Sequence, residues 1–581
     1  MRKSKSQSNR TSLRAVTDRL AWVSFGLSVA GLVLVGRLVY LQIVQHDHLT
    51  AQSDKQYLRS VEIVSGRGNI YDRNRNQLAT NIRVESVYAD PKSIVEKTTT
   101  ARILARALGL NPQAVLKKLK SDRHFVWIKR KSELNAIEKL KQLDLVGVGF
   151  IAETKRYYPK RKLAASTLGF VGLDNQGLAG VEHFHQAVLK GKAQRTVLEK
   201  DARGRFLWTS ANAAALNLGK QDVVLALDEV IQYIAERELN RQVREYQAKS
   251  GLAIVMDPYT GAVYALASAP EFNPNKYAAY PPRLWRNDAV ASAYEPGSIF
   301  KPIVAAATLE EGLAGPDDIF FCENGSFQVG KSRIGEAANH RFGWLTLRNI
   351  IAQSSNIGAI KIAQTLGDNR FFDYIRKFGF GGKLGVDLPG EASGTVRSVK
   401  QWSGLSLASM SFGHEISVTP IQMVSAIAAI ANGGVLIRPR LTQAIIKNGV
   451  IERTFEPQGI RTVLSEETSR QMINILKSVV KTGTGAKAAI PGFEVAGKTG
   501  TAQKIDPETQ SYSKTKYLAS FIGFVPADAP RLVILVMIDE PQKSYWGGEV
   551  AAPVFQKIAR KTLRYLHIPS SLDRVFVLDR A

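Results

Sequence analysis

From Leu20 to Gly36 the chain reads LAWVSFGLSVAGLVLVG, with no charged residue. Arg37 interrupts the run and LVYLQIV (Leu38–Val44) resumes it. If Arg37 snorkels toward a polar surface, the apolar length is about 20–24 residues, enough to cross a bilayer. A removable signal peptide would have a shorter apolar core followed by a small-x-small site, and LVYLQIVQHDH offers none. Residues 20–42 are therefore expected to remain as one transmembrane helix. The 1–19 tail carries six basic residues and one acidic one. It is expected to stay in the cytoplasm, which puts everything after about residue 43 outside.

The 581 residues leave room for two to four domains beyond this anchor. Cys322 is the only cysteine, which excludes an intrachain disulfide, a zinc ribbon and a CxxC redox pair. A small buried hydrophobe is its expected role. The net charge of +27 invites an anionic partner. The basic residues are scattered, however, and no nucleic-acid-binding motif accompanies them. A solvated basic surface is the simpler reading, and no nucleic-acid partner is expected.

Residues 43–220 alternate short strands and helices. GRGNIYDRNRNQLATN (Gly66–Asn81) reads as strand, polar turn and returning strand. Thr100–Asp122 reads as two helices joined at Gly109–Pro112, and Ser132–Leu145 as another. GFVGLDNQGLAGVE (Gly169–Glu182) reads as loop and turn. No cluster of acid, base and nucleophile appears here, so the region is expected to be structural. From about 221 to 570 the pattern changes. GLAIVMDPYTGAVYALAS (Gly251–Ser268) is two apolar strands around a turn, and Tyr517–Asp539 is a second hairpin around Pro526–Pro530. Helices lie before, between and after them. The expected fold class is α+β, a mainly antiparallel sheet flanked by helices. Residues 571–581 would form a tail.

Chemistry is concentrated in a few short motifs. GFEVAGKT (Gly492–Thr499) fits the P-loop expression, yet a P-loop needs a helix directly after its Lys-Ser/Thr to bind phosphates. GTAQKIDPETQ is a poor helix start, and FEVA is strand-like. Ser-x-x-Lys occurs four times, at Ser298/Lys301, Ser478/Lys481, Ser511/Lys514 and Ser513/Lys516. Only Ser298 opens an apolar helix after a Pro-Gly break, where Lys301 could reach its hydroxyl and, if neutral, take its proton. KTGT occurs twice. Lys481–Thr484 ends a helix with a glycine stop. Lys498–Thr501 lies on a strand, with Thr499 and Thr501 on one face. The missing side chain of Gly500 would let a substrate backbone approach the edge. Ser354-Ser355-Asn356 connects two helices. Ser354 and Asn356 could both face a cleft, or the triplet could be a helix N-cap. A second Ser-x-Asn, Ser210–Asn212, has nothing around it. His183-x-His185 has no third partner and reads as surface, not as a metal site.

The order Ser298-x-x-Lys301, Ser354-x-Asn356, Lys498-Thr499-Gly500 resembles that of penicillin-binding proteins and class A β-lactamases. The chain is similar over nearly its whole length to the class B penicillin-binding proteins, and close to the FtsI-like division transpeptidases. The likeness rests on the anchor ending GRLVYLQ, SGRGNIYDRN at Ser65, RYYP at Arg156, GLAGVE at Gly177, DARGR at Asp201, YEPGSIFKP at Tyr294, SSN at Ser354, SFGHEISVTPIQ at Ser411 and AGKTGTAQK at Ala496. SSN is similar to division enzymes, whereas elongation-type relatives usually carry SSD.

This resemblance implies an elongated mixed α/β pedestal at 43–220 and a serine β-lactamase-like transpeptidase domain at 221–570. It also implies a single-pass protein of the bacterial inner membrane, with the catalytic domain in the periplasm. Ser298 would be the nucleophile, Lys301 the general base, Ser354 the proton relay, and Asn356 the holder of the substrate amide. Lys498, Thr499 and Thr501 would take the terminal carboxylate, with the backbone N–H groups of Ser298 and Thr501 as oxyanion hole. The implied substrate is a stem pentapeptide ending in D-Ala-D-Ala, and β-lactams would acylate the same serine. No cofactor or metal is implied. Implied partners are an FtsW-like glycan polymerase of the SEDS type and other division proteins. No glycosyltransferase segment appears, so glycan polymerisation is not expected of this chain. A D,D-carboxypeptidase, a β-lactam sensor or class D-like β-lactamase, an elongation- or sporulation-type transpeptidase, and a scaffold that activates a polymerase remain alternatives. His414 and Glu415 lie in a family motif and are given no chemistry.

Overall fold

A computed structural model describes residues 8–64, 66–132, 134–190, 193–200, 206–207, 220–506, 508–509 and 511–571. DARGR, Ser65, the Ser210–Asn212 pair, the first seven residues of the basic tail and residues 572–581 lie outside the described residues. The apolar run folds as a helix, Ser8–Val39, that closes with a π-helical turn over Tyr40–Val44. The stretch Val16–Val44 is long and apolar enough to cross a membrane.

The chain forms two compact units. The smaller comprises residues 1–64, 83–154 and 193–216, and the larger residues 65–82, 155–192 and 217–581. In the smaller unit, helices Lys97–Leu108 and Pro112–Leu119 are separated by left-handed Gly109, and Asn111 caps the second helix. A third helix, Leu134–Gln142, joins them. Leu104, Leu108, Val115, Ile137 and Leu140 pack on Val87 and Ile128 of two paired strands, Gln77–Ala89 and Val126–Ser132. Leu58–Val64 pairs separately with Ala193–Lys200.

The larger unit is built on five antiparallel strands, in the order Val263–Ala269, Ser250–Met256, Leu532–Asp539, Tyr512–Val525 and Ala496–Ile505. Both faces are covered, which is why VILVMI reads as an unbroken apolar run rather than an alternating one. One face packs Ala253, Val255 and Val536 against Ile231 and Leu239 of helix Glu229–Glu245 and Phe555 and Leu563 of helix Ala552–Tyr565. The other packs Leu252, Ile254 and Leu535 against a helical layer that includes Lys301–Glu310, Pro420–Ala431 and Glu466–Lys481. Among the described residues Ala496–Ile505 pairs only with Tyr512–Val525, which leaves its second edge open.

Two stretches N-terminal to residue 220 pack in this larger unit, and a buried ionic cluster ties them together. Glu182 accepts from Arg67 Nε at 2.8 Å, from Arg156 Nε at 2.5 Å and from the Tyr158 hydroxyl at 3.1 Å. Ile70–Tyr71 runs parallel to Asp222–Leu225. Arg67 of GRGN, Arg156 and Tyr158 of RYYP and Glu182 of GLAGVE therefore meet at one point, where the buried charges compensate one another.

Candidate active site

Ser298 sits in a single tight turn, Gly297–Phe300, that runs directly into helix Lys301–Glu310. Gly297 has φ +56° and donates its N–H to Gly413 O at 3.0 Å. A side chain on Gly297 would reach Ala502 Cβ at 3.0 Å, and one on Gly413 would meet Gly297 O at 2.2 Å. The turn is thus wedged between the SFGHE loop and the strand Ala496–Ile505. Gly500 serves the same end. A Cβ there would stand 2.4 Å from Ser520 Oγ and 2.9 Å from Ile299 Cγ2. The approach expected of a substrate backbone is made on this face by the protein's own Ser298 turn.

Lys301 is fully buried. Its Nζ donates to Ser354 O at 2.5 Å, Asn356 Oδ1 at 2.8 Å and Ser354 Oγ at 3.3 Å. No hydrogen bond joins it to Ser298, contrary to expectation, because three acceptors on the SSN connection take its donors. Burial pushes the Lys301 pKa down to about 7, against an opposing pull from the Glu336 carboxylate. Lys498 Nζ donates to Ser354 Oγ at 2.8 Å and to Thr499 O at 3.0 Å. Burial and the Lys301 charge hold Lys498 well below the usual lysine value. One hydroxyl oxygen therefore lies between two lysines. If it accepts from both, its own proton is free to point outward.

The SSN connection divides its labour. Ser354 ends helix Leu347–Gln353 in the left-handed conformation, at φ +61°. Ser355 is the N-cap of helix Asn356–Leu366 and accepts from Gly358 N at 2.9 Å. Capping by the middle residue frees the outer two to face the lysines. Glu336, which is missing from the sequence-based set, fixes the connection from below. Its carboxylate accepts from Asn356 N at 2.6 Å and Ile357 N at 3.3 Å, and from Ser355 Oγ. It sits just after a hairpin strand, Ser332–Gly335, and no local pattern announces it.

On the other face of the strand, Thr499 Oγ1 is 2.6 Å from Thr484 Oγ1, so the first KTGT abuts the second. Thr501 Oγ1 accepts from Gly547 N at 3.0 Å. Beyond them, Tyr517 and Tyr545 stack at 4.3 Å and Trp546 leans on Tyr545 at 4.8 Å. His414 packs at a tilt against Tyr512, 4.7 Å between ring centres, and the Tyr512 hydroxyl donates to Glu295 at 3.1 Å. Burial and the nearby Lys301 charge lower the His414 pKa to about 4. The decoys separate from the site. Lys481 pairs with Glu494, and residues 496–505 continue as strand after Lys498-Thr499, where a P-loop would need a helix. His185 is buried rather than on the surface and is 2.7 Å from Thr442 Oγ1. Among the described residues no group of three His, Cys, Asp or Glu side chains could hold a metal.

Residues 251–560 match the penicillin-binding protein transpeptidase domain family, and residues 62–221 the penicillin-binding protein dimerisation domain family. The chain is 35% identical over 97% of its length to stage V sporulation protein D of Bacillus subtilis, covering 88% of that protein. It is 32% identical over 92% of its length to peptidoglycan D,D-transpeptidase FtsI of Escherichia coli, covering 90% of that protein. A crystal structure of penicillin-binding protein 3 from Mycobacterium tuberculosis, complexed with aztreonam, superposes with a TM-score of 0.68 at 30% identity. That match covers 88% of this chain and 98% of the other. The chain belongs to the class B penicillin-binding proteins, the serine D,D-transpeptidases of peptidoglycan synthesis.

Proposed function

We propose that this chain crosslinks stem peptides during septal wall synthesis through a Ser298 acyl-enzyme. The observation that carries the chemistry is the Ser354 hydroxyl held between the Lys301 and Lys498 amines, with Lys301 three residues after Ser298. Ser298 Oγ attacks the penultimate D-Ala carbonyl and its proton passes to neutral Lys301, a form that burial makes available near pH 7. The oxyanion is held by the backbone N–H groups of Ser298 and Thr501. Asn356 holds the substrate amide. The C–N bond breaks, and the departing D-Ala amine receives the proton through Ser354. Thr499, Thr501 and Lys498 hold the terminal carboxylate, which restores the charge that burial disfavours on Lys498. An amine from a neighbouring stem then attacks the ester, forms the crosslink and releases Ser298. Penicillin acylates the same oxygen.

The septal assignment is supported by the SSN triplet at Ser354 and by the likeness to FtsI. A spore-wall role is the second reading, favoured by the relative named stage V sporulation protein D. Depletion in the source organism separates them. Filaments without septa support the septal reading, rounding of rods an elongation role, and normal growth with defective spores the sporulation role. The domain layout 1–19, 20–42, 43–220, 221–570 and 571–581 belongs to the same reading. The anchor is oriented with its basic tail in the cytoplasm, and the 43–220 pedestal docks an FtsW-like polymerase. If so, Ser298→Ala supports assembly with that polymerase and deletion of 43–220 does not. The acyl-enzyme itself is tested with fluorescent penicillin on a denaturing gel. Wild type retains label and Ser298→Ala has none; label on the variant moves the nucleophile elsewhere.

A further inference from the structure

The proposed oxyanion hole needs two main-chain N–H groups from different elements to meet one oxygen. Ser298 belongs to the turn Gly297–Phe300, and Thr501 to the strand Ala496–Ile505. Each N–H must come within about 2.7–3.1 Å of the same atom, so turn and strand must be fixed against each other. Among the described residues no strand pairs the second edge of Ala496–Ile505. Lys504 binds Asp539 at 2.7 Å, but that bond stays within the sheet. Gly500 against Ile299 and Ala502 against Gly297 are steric stops, which limit approach and do not oppose withdrawal.

Withdrawal is opposed by two polar tethers, one on each side of Thr501. Before it, Lys498 Nζ donates to Ser354 Oγ at 2.8 Å. After it, the strand ends at Ile505, whose register partner is Tyr512. The Tyr512 hydroxyl donates to Oε2 of Glu295, three residues before Ser298, at 3.1 Å. Oε1 of the same carboxylate accepts from the main-chain N–H of Glu415 at 2.9 Å. One carboxylate thus joins the hairpin, the segment entering the Ser298 turn and the SFGHE loop.

The loop is shaped to serve this tether. Glu415 has φ +57°, in the left-handed region that favours glycine. Such a conformation persists only where the surroundings enforce it. Here the Glu415 carboxylate accepts from Ser406 Oγ at 2.8 Å and pairs with Arg397, which offsets the second negative charge brought near Glu295. His414, one residue earlier, rests its ring against Tyr512. Both ends of the Tyr512–Glu295 bond are therefore held by the same loop.

We propose that Glu295 is a positioning residue for acyl transfer: its carboxylate, shared between Tyr512 and the SFGHE loop, holds the Thr501 N–H in register with the Ser298 turn. The proposal rests on the transpeptidase reading and gives Glu295 no contact with substrate.

The test is stopped-flow acylation of the full-length solubilised protein by fluorescent penicillin, which separates the affinity of the first complex from the acylation rate constant. Tyr512→Phe removes only the hydroxyl that crosses to Glu295. It should lower the rate constant about tenfold, the value of one hydrogen bond to a charged group, with first-complex affinity within about twofold and the melting temperature unchanged. Glu295→Ala should slow acylation at least as much, and the double variant no further than Glu295→Ala, because both changes delete one tether. Glu295→Gln keeps an accepting oxygen and should recover most of the rate. If Glu295→Ala does not fold, Tyr512→Phe decides alone. A wild-type rate constant in Tyr512→Phe overturns the proposal. So do losses that multiply in the double variant, or a loss confined to first-complex affinity. Absence of any penicillin label on wild type is a different result, because it removes the acyl-enzyme reading itself.

Discussion

The tetrapeptide KTGT occurs twice in this chain, seventeen positions apart, and the two copies have little in common once folded. Lys481 ends helix Glu466–Lys481, stands 59% exposed and pairs with Glu494 at 3.0 Å. Lys498 lies on a sheet strand, is fully buried and hydrogen-bonds Ser354. The same ammonium is a solvated surface charge in one place and a strongly perturbed amine in the other. Burial and neighbours, not the four letters, decide which lysine can do proton chemistry. Yet the first copy is not idle, since its Thr484 hydroxyl braces Thr499.

Substitutions can break or sharpen this contrast. The largest effect is expected from Lys498→Ala, which should slow penicillin acylation by about 10²–10⁴-fold, the usual range for a positioned proton-transfer group. A stopped-flow acylation rate within threefold of wild type would put Lys498 outside the chemistry. Gly500→Ala comes next. The added Cβ must displace both Ser520 and Ile299, and overpacking of this kind costs about 1–3 kcal/mol, to be read as a lowered melting temperature with slower labelling.

The pH dependence probes Lys301. With neutral Lys301 as the proposed base, acylation should rise about tenfold per pH unit below about 7 and level off above it. Glu336 pulls that value upward, so Glu336→Gln should move the rising limb to lower pH while its remaining carbonyl still accepts hydrogen bonds. An unmoved limb would leave Glu336 as a brace alone. Thr484→Val removes one hydrogen bond, worth about 1 kcal/mol, and should reduce acylation a few-fold. The smallest effect belongs to Lys481→Ala. An exposed ion pair contributes about 0–1 kcal/mol, so labelling should stay near wild type and thermal stability should barely move.

Much of this was legible in the sequence where the determinants are local. The anchor follows from an uncharged run, the two hairpins from turn residues between apolar segments, and the Ser298 turn from a Pro-Gly break before an apolar helix. The set Ser298, Lys301, Ser354, Asn356 and Lys498 was legible through the order of its motifs, and the structure gathers Lys301, Ser354, Asn356 and Lys498 into one hydrogen-bonded cluster. What escaped depends on long-range packing. Glu336 is eighteen residues from Ser354 across a hairpin, and Thr484 looked like part of a helix stop. Tyr517, Tyr545 and Trp546 come together from separate segments. Arg67, Arg156 and Glu182 were read as scattered family motifs, although they share one buried cluster. Gly500 was singled out for the approach of a substrate backbone, whereas the structure sets its missing side chain against the turn behind it, which no window around residue 500 contains.

The contacts among Gly297, Gly413, Gly500 and their neighbours wedge the Ser298 turn against main chain at Gly413 and against the Ala502, Ser520 and Ile299 side chains elsewhere. A lineage under antibiotic selection cannot retune the serine by small steps at these positions, because every step adds an atom where there is no room.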